Sequence, residues 1–132
     1  KKTLFITSGD EFKKAKKDDI ALILSSIYKW KDAWKTSNIN EYLSFYSKEF
    51  KRADRSDFNT FANQKKQIFA KNENKIINLY NMDISPYPNS LGKKIYRAVM
   101  DEEYYSPSVK FVGKKELFLE VANNKVQILT ED

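Results

Sequence analysis

The stretch KKELFLEVANNKVQILTE, residues 114–131, decides the fold class. Its apolar residues alternate on both sides of Asn123-Asn124: Leu117, Leu119 and Val121 before, Val126 and Ile128 after. A period of two is the strand pattern. Asparagine tolerates the positive φ that a two-residue hairpin loop demands. Residues 115–121 and 125–130 therefore read as paired antiparallel strands. With that loop, Val121 pairs with Val126, Leu119 with Ile128 and Leu117 with Thr130. These line one face, which must be the buried one. Lys115 lies on the same face, just past the apolar run. Simple parity puts Glu131 on the other face, diagonal to Lys114. A bulge near the end would turn it inward.

Working upstream, residues 94–105 alternate in the same way. Tyr96, Ala98, Met100, Glu102 and Tyr104 share one face; Ile95, Arg97, Val99 and Asp101 share the other. A further strand spans Ile76 to Ile84 and is closed by Ser85-Pro86-Tyr87-Pro88-Asn89. The first half has a different period. Ile20, Ile23, Leu24, Ile27, Trp30 and Trp34 recur at three and four, which predicts an amphipathic helix from about residue 10 to about 36. Ser8 or Asp10 is its expected N-cap, and Lys13, Lys14, Lys16 and Lys17 are expected to face solvent. Asn38 or Asn40 caps a short helix holding Tyr42, Leu43, Phe45 and Tyr46. Ser56 or Asp57 opens a third that ends near Asn72. Helices followed by antiparallel strands give an α+β class. The sheet must curl around the long helix and leave an open-mouthed cone, a common ligand site. Residues 1–9 read as an extended lead-in from a preceding domain and 10–132 as one domain.

Composition narrows the chemistry. The 132 residues contain no cysteine, no histidine and only three glycines. A Ser-His-Asp triad, a Cys-His pair, a histidine zinc site and a glycine-rich phosphate loop cannot be built from this chain. No catalytic residue, metal or cofactor is expected, and a binding domain is the better reading. A net charge of +6 admits anionic partners, but it is equally the mark of a solvated lysine-rich surface. The run Lys48, Lys51, Arg52, Arg55, Lys65 and Lys66 lacks the aromatic interleaving of nucleic-acid binders and reads as a solvated face. No stretch approaches the roughly 18 apolar residues of a membrane span. The chain opens on Lys1 rather than Met, as a processed or excised piece would.

Several strings together carry a resemblance. Trp30-Lys31-Asp32-Ala33-Trp34 runs into residues 40–50, NEYLSFYSKEF. This resembles the W-x-x-A-W … D-x-Y-L-x-x-Y-S-x-x-F signature of nuclear-transport-factor-two-like domains, in the version found behind L,D-transpeptidase-type catalytic domains. Residues 100–106, 115–119 and 126–131 are similar to that family's F-x-Q-x-Y-x-S, K-x-L-x-L and W-x-I-x-x-E strings. The departures are Glu102 for glutamine and Val126 for tryptophan. The likeness is to peptidoglycan L,D-carboxypeptidases that set cell shape in helical bacteria and trim terminal D-alanine from tetrapeptide stems. It implies a periplasmic accessory domain whose partners are peptidoglycan or muropeptides and the catalytic domain of the same parent chain. The catalytic Cys and His would sit in that other domain.

The candidate binding residues are Lys114 or Lys115, Glu131, Glu102, Tyr104 and Tyr46. A lysine at the rim of the cone can take a ligand carboxylate, and Glu131 an amine. The bland alternative is a surface salt bridge worth roughly 0–1 kcal/mol. Tyrosines at a mouth suit sugar or peptide stacking; the alternative is a core ring with its hydroxyl satisfied at the rim. Trp30 and Trp34 are expected in the core. Two rival functions stand beside the pocket. One is a protein-interaction module with an exposed apolar patch, docking a scaffold or the catalytic domain. The other is a small isomerase using a lone Glu102 with Tyr104.

Overall fold

The alternating stretches form one antiparallel sheet in the computed structural model, which describes residues 2–52 and 54–132, with side chains from Lys16 onward. Three helices come first: α1 (Lys2–Lys35), α2 (Ile39–Ser44) and α3 (Phe58–Ala70). Four strands follow: β1 (Ile76–Pro86), β2 (Ile95–Tyr105), β3 (Lys110–Ala122) and β4 (Lys125–Glu131). They lie in the order β1-β2-β3-β4, the meander that hairpin links produce. The class is α+β as expected, a curled sheet packed on one long helix and two shorter ones.

Helix α1 buries Ile23, Ile27, Trp30, Ala33 and Trp34 against the inner face of the sheet. It starts earlier than its periodicity predicts. Residues 2–9 are helical rather than extended, so Ser8 and Asp10 lie within the helix and not at its start. Gly9 is the poorest helix former there, and one interior glycine costs about 1 kcal/mol, too little to stop it. The side chains of Lys13 and Lys14 lie outside the described residues; Lys17 is exposed and Lys16 partly so. At its C-terminus Ser37 takes φ 57°, and the Asn38 N–H reaches back to the Ala33 carbonyl at 2.9 Å. This left-handed closure satisfies a carbonyl that the helix itself cannot.

Asn38, not Asn40, caps α2, its side chain accepting from the Glu41 N–H at 3.3 Å. Asp57, not Ser56, caps α3, accepting from Thr60 at 2.9 Å. Because α2 stops at Ser44, Phe45 and Tyr46 fall outside the helix predicted to hold them. The segment after it instead runs along β4. Ile128 donates to the Phe45 carbonyl at 2.7 Å, Ser47 to the Ile128 carbonyl at 2.9 Å and Lys51 to the Leu129 carbonyl at 3.2 Å. That segment covers the outer edge of β4. The opposite edge of the sheet is β1, whose register slips between Tyr80 and Asp83, with Asn81 at φ 53°.

The β3–β4 hairpin turns on Asn123 (φ 53°) and Asn124 (φ 58°), the double positive φ of a tight two-residue turn. Val121 pairs with Val126 and Leu119 with Ile128, as parity requires. The register then slips: Phe118 faces Thr130 and Leu117 faces Glu131, leaving Leu129 unpaired. This corrects two expectations. Leu117 does not face Thr130, and Glu131 does not point outward, because the bulge reverses parity for the last residues. Helix α3 packs on α2 through Phe61 and Phe69, whose ring centroids lie 6.4 and 4.8 Å from that of Tyr42, and both rings join the core. The cone opens beside Arg52, Lys115 and Glu131, which line a cleft there.

Candidate ligand-binding site

Strand parity carries Lys115 into the cone on β3 and Glu102 on β2; the Leu129 bulge carries Glu131 in on β4. All three side chains meet. Lys115 Nζ lies 3.5 Å from Glu102 Oε1 and 3.6 Å from Glu131 Oε2. The same ammonium stands over Trp30 and Trp34, at 5.9 and 5.8 Å from their ring centroids. Glu102 and Glu131 are both buried, at 6% and 7% exposure, so these are desolvated ions and not a surface pair.

Tyr46 stands behind Glu131, fixed by the short bridge of its segment to Ile128. Its hydroxyl lies 2.7 Å from Glu131 Oε1, 3.0 Å from the Tyr42 hydroxyl and 3.1 Å from Trp30 Nε1. A phenol has one proton to give, and the carboxylate is the stronger acceptor. Tyr46 therefore donates to Glu131 and accepts from Trp30 and Tyr42. Burial pushes the hydroxyls of Tyr42 and Tyr46 well above the usual tyrosine range, and the Glu131 charge adds to it. Burial would likewise raise the Glu131 carboxyl. Lys115, Lys65, the Tyr46 hydrogen bond and Arg52 together outweigh that and hold it below its ordinary value.

Two of those cations are absent from the candidates named in the sequence. Arg52 comes from the segment after α2 and reaches Glu131 Oε2 at 4.0 Å while lying over the Phe61 ring. Lys65 projects from α3 over the same ring, 5.5 Å from its centroid. Burial pushes its ammonium down; Glu131 opposes that shift, and Lys115 and Arg52 add to it. No carboxylate of the described residues lies within 4.0 Å of Lys65. Both cations belong to the run read as a solvated face. The signal was spacing: Lys65 is four residues after the buried Phe61, hence on the same side of α3. For Arg52, in irregular chain, no such signal exists.

Lys114 is elsewhere. It lies on the outer face, 73% exposed, and pairs with Asp101 at 2.5 Å. Parity separates the two adjacent lysines completely. Tyr104 lies on the cone side of β2 and stacks on Trp34, centroids 5.4 Å apart at 16°. It borders the ion cluster without joining it. Trp30 and Trp34 are core residues, as expected.

The pocket thus brings three cations, Arg52, Lys65 and Lys115, against two buried carboxylates, Glu102 and Glu131. It opens on a cleft of about 300 Å³, with Asp54 and Asp132 exposed at its rim. Of these five side chains only Glu102 and Glu131 are buried; Lys115 lies between them, and Arg52 and Lys65 are partly buried. A partly buried cation with no close carboxylate, such as Lys65, loses hydration, and an incoming anionic group relieves that cost.

A long helix, two short helices and a curled antiparallel sheet enclosing a polar pocket define the nuclear-transport-factor-two-like class. Residues 22–132 match the family described as the Cds6 C-terminal NTF2-like domain, and the chain belongs to that family. It is 42% identical to a lysine-to-alanine mutant of Pgp2 from Campylobacter jejuni, a helical cell shape determining protein, with a TM-score of 0.85. That match covers 88% of this chain and 41% of Pgp2. The unmutated Pgp2 is 41% identical over 83% of this chain and 39% of its own, with a TM-score of 0.74. Bd1075 of Bdellovibrio bacteriovorus shares the fold at 19% identity, with a TM-score of 0.72 over 83% of this chain and 38% of that one. The chain therefore spans about two fifths of these proteins. No curated protein sequence matches it. No described helix is long and apolar enough to cross a membrane.

Proposed function

We propose that this domain is the non-catalytic grip of a periplasmic cell-shape enzyme, a peptidoglycan L,D-carboxypeptidase, and that it holds stem peptides of the wall in its cone. The observation that carries the proposal is the cluster of Lys115, Glu102 and Glu131, flanked by the partly buried cations Arg52 and Lys65 and bordering a cleft. A stem peptide is zwitterionic, so it offers both charges the pocket can use. Its carboxylate lies against Lys65 and Arg52, whose charge is least matched, with Lys115 at the base. Its amine lies against Glu102 and Glu131. Membership of the Cds6 C-terminal family, the likeness to Pgp2 and the wall-enzyme strings in the sequence support that ligand class.

Calorimetric titration of the 132-residue domain with soluble muropeptides tests the reading. Binding should weaken about tenfold or more in Lys115→Ala, equivalent to ~1.4 kcal/mol. Since removing Lys115 leaves two carboxylates buried, Lys65→Met serves as the milder variant and should show a comparable loss with the fold intact. Lys114→Ala, on the outer face, should bind as the parent does. An absence of binding, or equal affinity in all four proteins, overturns the pocket.

One observation favours a second reading. The outer face carries an apolar groove of about 250 Å³ formed by Tyr87, Ile95, Phe118 and Leu129, which an interaction module would use. Capture of the catalytic domain by wild-type protein, lost in Phe118→Glu but kept in Lys115→Ala, would assign docking to that face. The isomerase reading places its base correctly, since Glu102 faces the cone. There, however, the carboxylate is already engaged by Lys115.

A further inference from the structure

Gly113 faces the cone directly opposite Glu102, between Phe111 and Lys115 on the same side of β3. A β-carbon at Gly113 would stand 2.9 Å from Phe111 Cζ and 3.4 Å from Cε1, closer than packed carbons come. The missing side chain is what lets the Phe111 ring lie down along the strand towards Lys115. The ring is not covered in return: Phe111 stays 45% exposed. Tyr104, the cross-strand partner of Phe111, faces the same side. Tyr104 is only partly buried, which leaves its hydroxyl free to meet a ligand. A flat apolar ring and an open hydroxyl thus adjoin the ion cluster.

We infer that Phe111, laid flat by Gly113, is a stacking platform for a pyranose ring of the glycan that bears the stem peptide. The inference rests on the proposed peptide-binding pocket and extends it outward. A pyranose shows an apolar C–H face, which gains by covering exposed aromatic carbon, and rim hydroxyls, which suit the Tyr104 phenol. A bare peptide would occupy the charged end and leave the ring in water. The site therefore distinguishes peptide still attached to glycan from peptide already released.

Three probes test this on the 132-residue domain: a disaccharide-tripeptide, the free tripeptide and the disaccharide alone. Affinities are measured by calorimetry and contacts by amide chemical shifts. The disaccharide-tripeptide should bind wild type about tenfold more tightly than the free tripeptide. Phe111→Ala and Phe111→Leu should erase that difference and leave the tripeptide affinity unchanged; Phe111 is exposed, so both should fold. Gly113→Val, which lifts the ring, should act in the same direction. The disaccharide alone should shift the amides of residues 111–113 in wild type and not in Phe111→Ala. Tripeptide binding without a disaccharide effect overturns the platform and spares the pocket. Disaccharide shifts at 111–113 without tripeptide binding overturn the pocket and spare the platform. Silence from all three probes overturns both.

Discussion

Tyr46 has one hydroxyl proton and two lone pairs, and all three are engaged: Glu131 takes the proton, while Trp30 and Tyr42 fill the lone pairs. Tyr46→Phe therefore strands a buried carboxylate, an indole N–H and a second phenol at once. The expected cost is about 3 kcal/mol, given roughly 1–3 for a single neutral orphan and more for a charged one. Urea denaturation at neutral pH measures it. Glu131 adds a pH dependence whose sign is fixed by geometry. Its carboxyl is held below the ordinary range in the fold, so the unfolded chain takes up the proton first as pH falls. The stabilisation is present above the unfolded value of about 4.3 and is lost as pH falls through the lower folded value. Thermal melts from pH 7 to 3 should show this acid limb in the parent and a flatter one in Glu131→Gln. At this scale the sequence disclosed residue types but not their company. The adjacent lysines 114 and 115 could be told apart only by parity, and Tyr46 reads in the sequence as either a pocket tyrosine or a core ring, with no sign of its three partners.

At the scale of elements, helix and strand periods were readable almost throughout, and the failures lie at the ends of elements. Leu129 drops out of pairing and reverses the face of Glu131. Only such a bulge lets Glu131 share the face of Ile128, since residues an odd number apart lie on opposite faces of a regular strand. Helix α1 ran past Ser8 and Asp10 because a capping residue stops a helix only when the backbone before it leaves the helical region. The turn Asn123-Asn124 was read correctly because it needs a special residue at each position. Asn123→Ala should cost about 1 kcal/mol in urea denaturation, the order of the left-handed penalty for a residue with a β-carbon. Asn123→Gly should be neutral or stabilising, and binding should be unchanged in both.

For the whole molecule, net charge proved a poor guide. The +6 of the chain is spread over the surface, whereas the pocket sets its cations directly against the buried Glu102 and Glu131. Salt separates the two. Partly buried pairs are screened weakly, so affinity for a muropeptide should fall only about threefold between 0.05 and 0.5 M NaCl. A steep loss of 10³-fold, as in phosphate-backbone binders, would point to the surface. The sheet edges bear on a different property. Segment 45–51 closes one side of the sheet, and the other side, β1, is broken by the twist at Asn81 and ends at Pro86. A strand from another molecule thus finds no long straight edge to extend. A domain with an open, charged cone can then be crowded against its own copies without the sheets growing into one another, and self-templated aggregation is blocked by backbone shape while the pocket stays free.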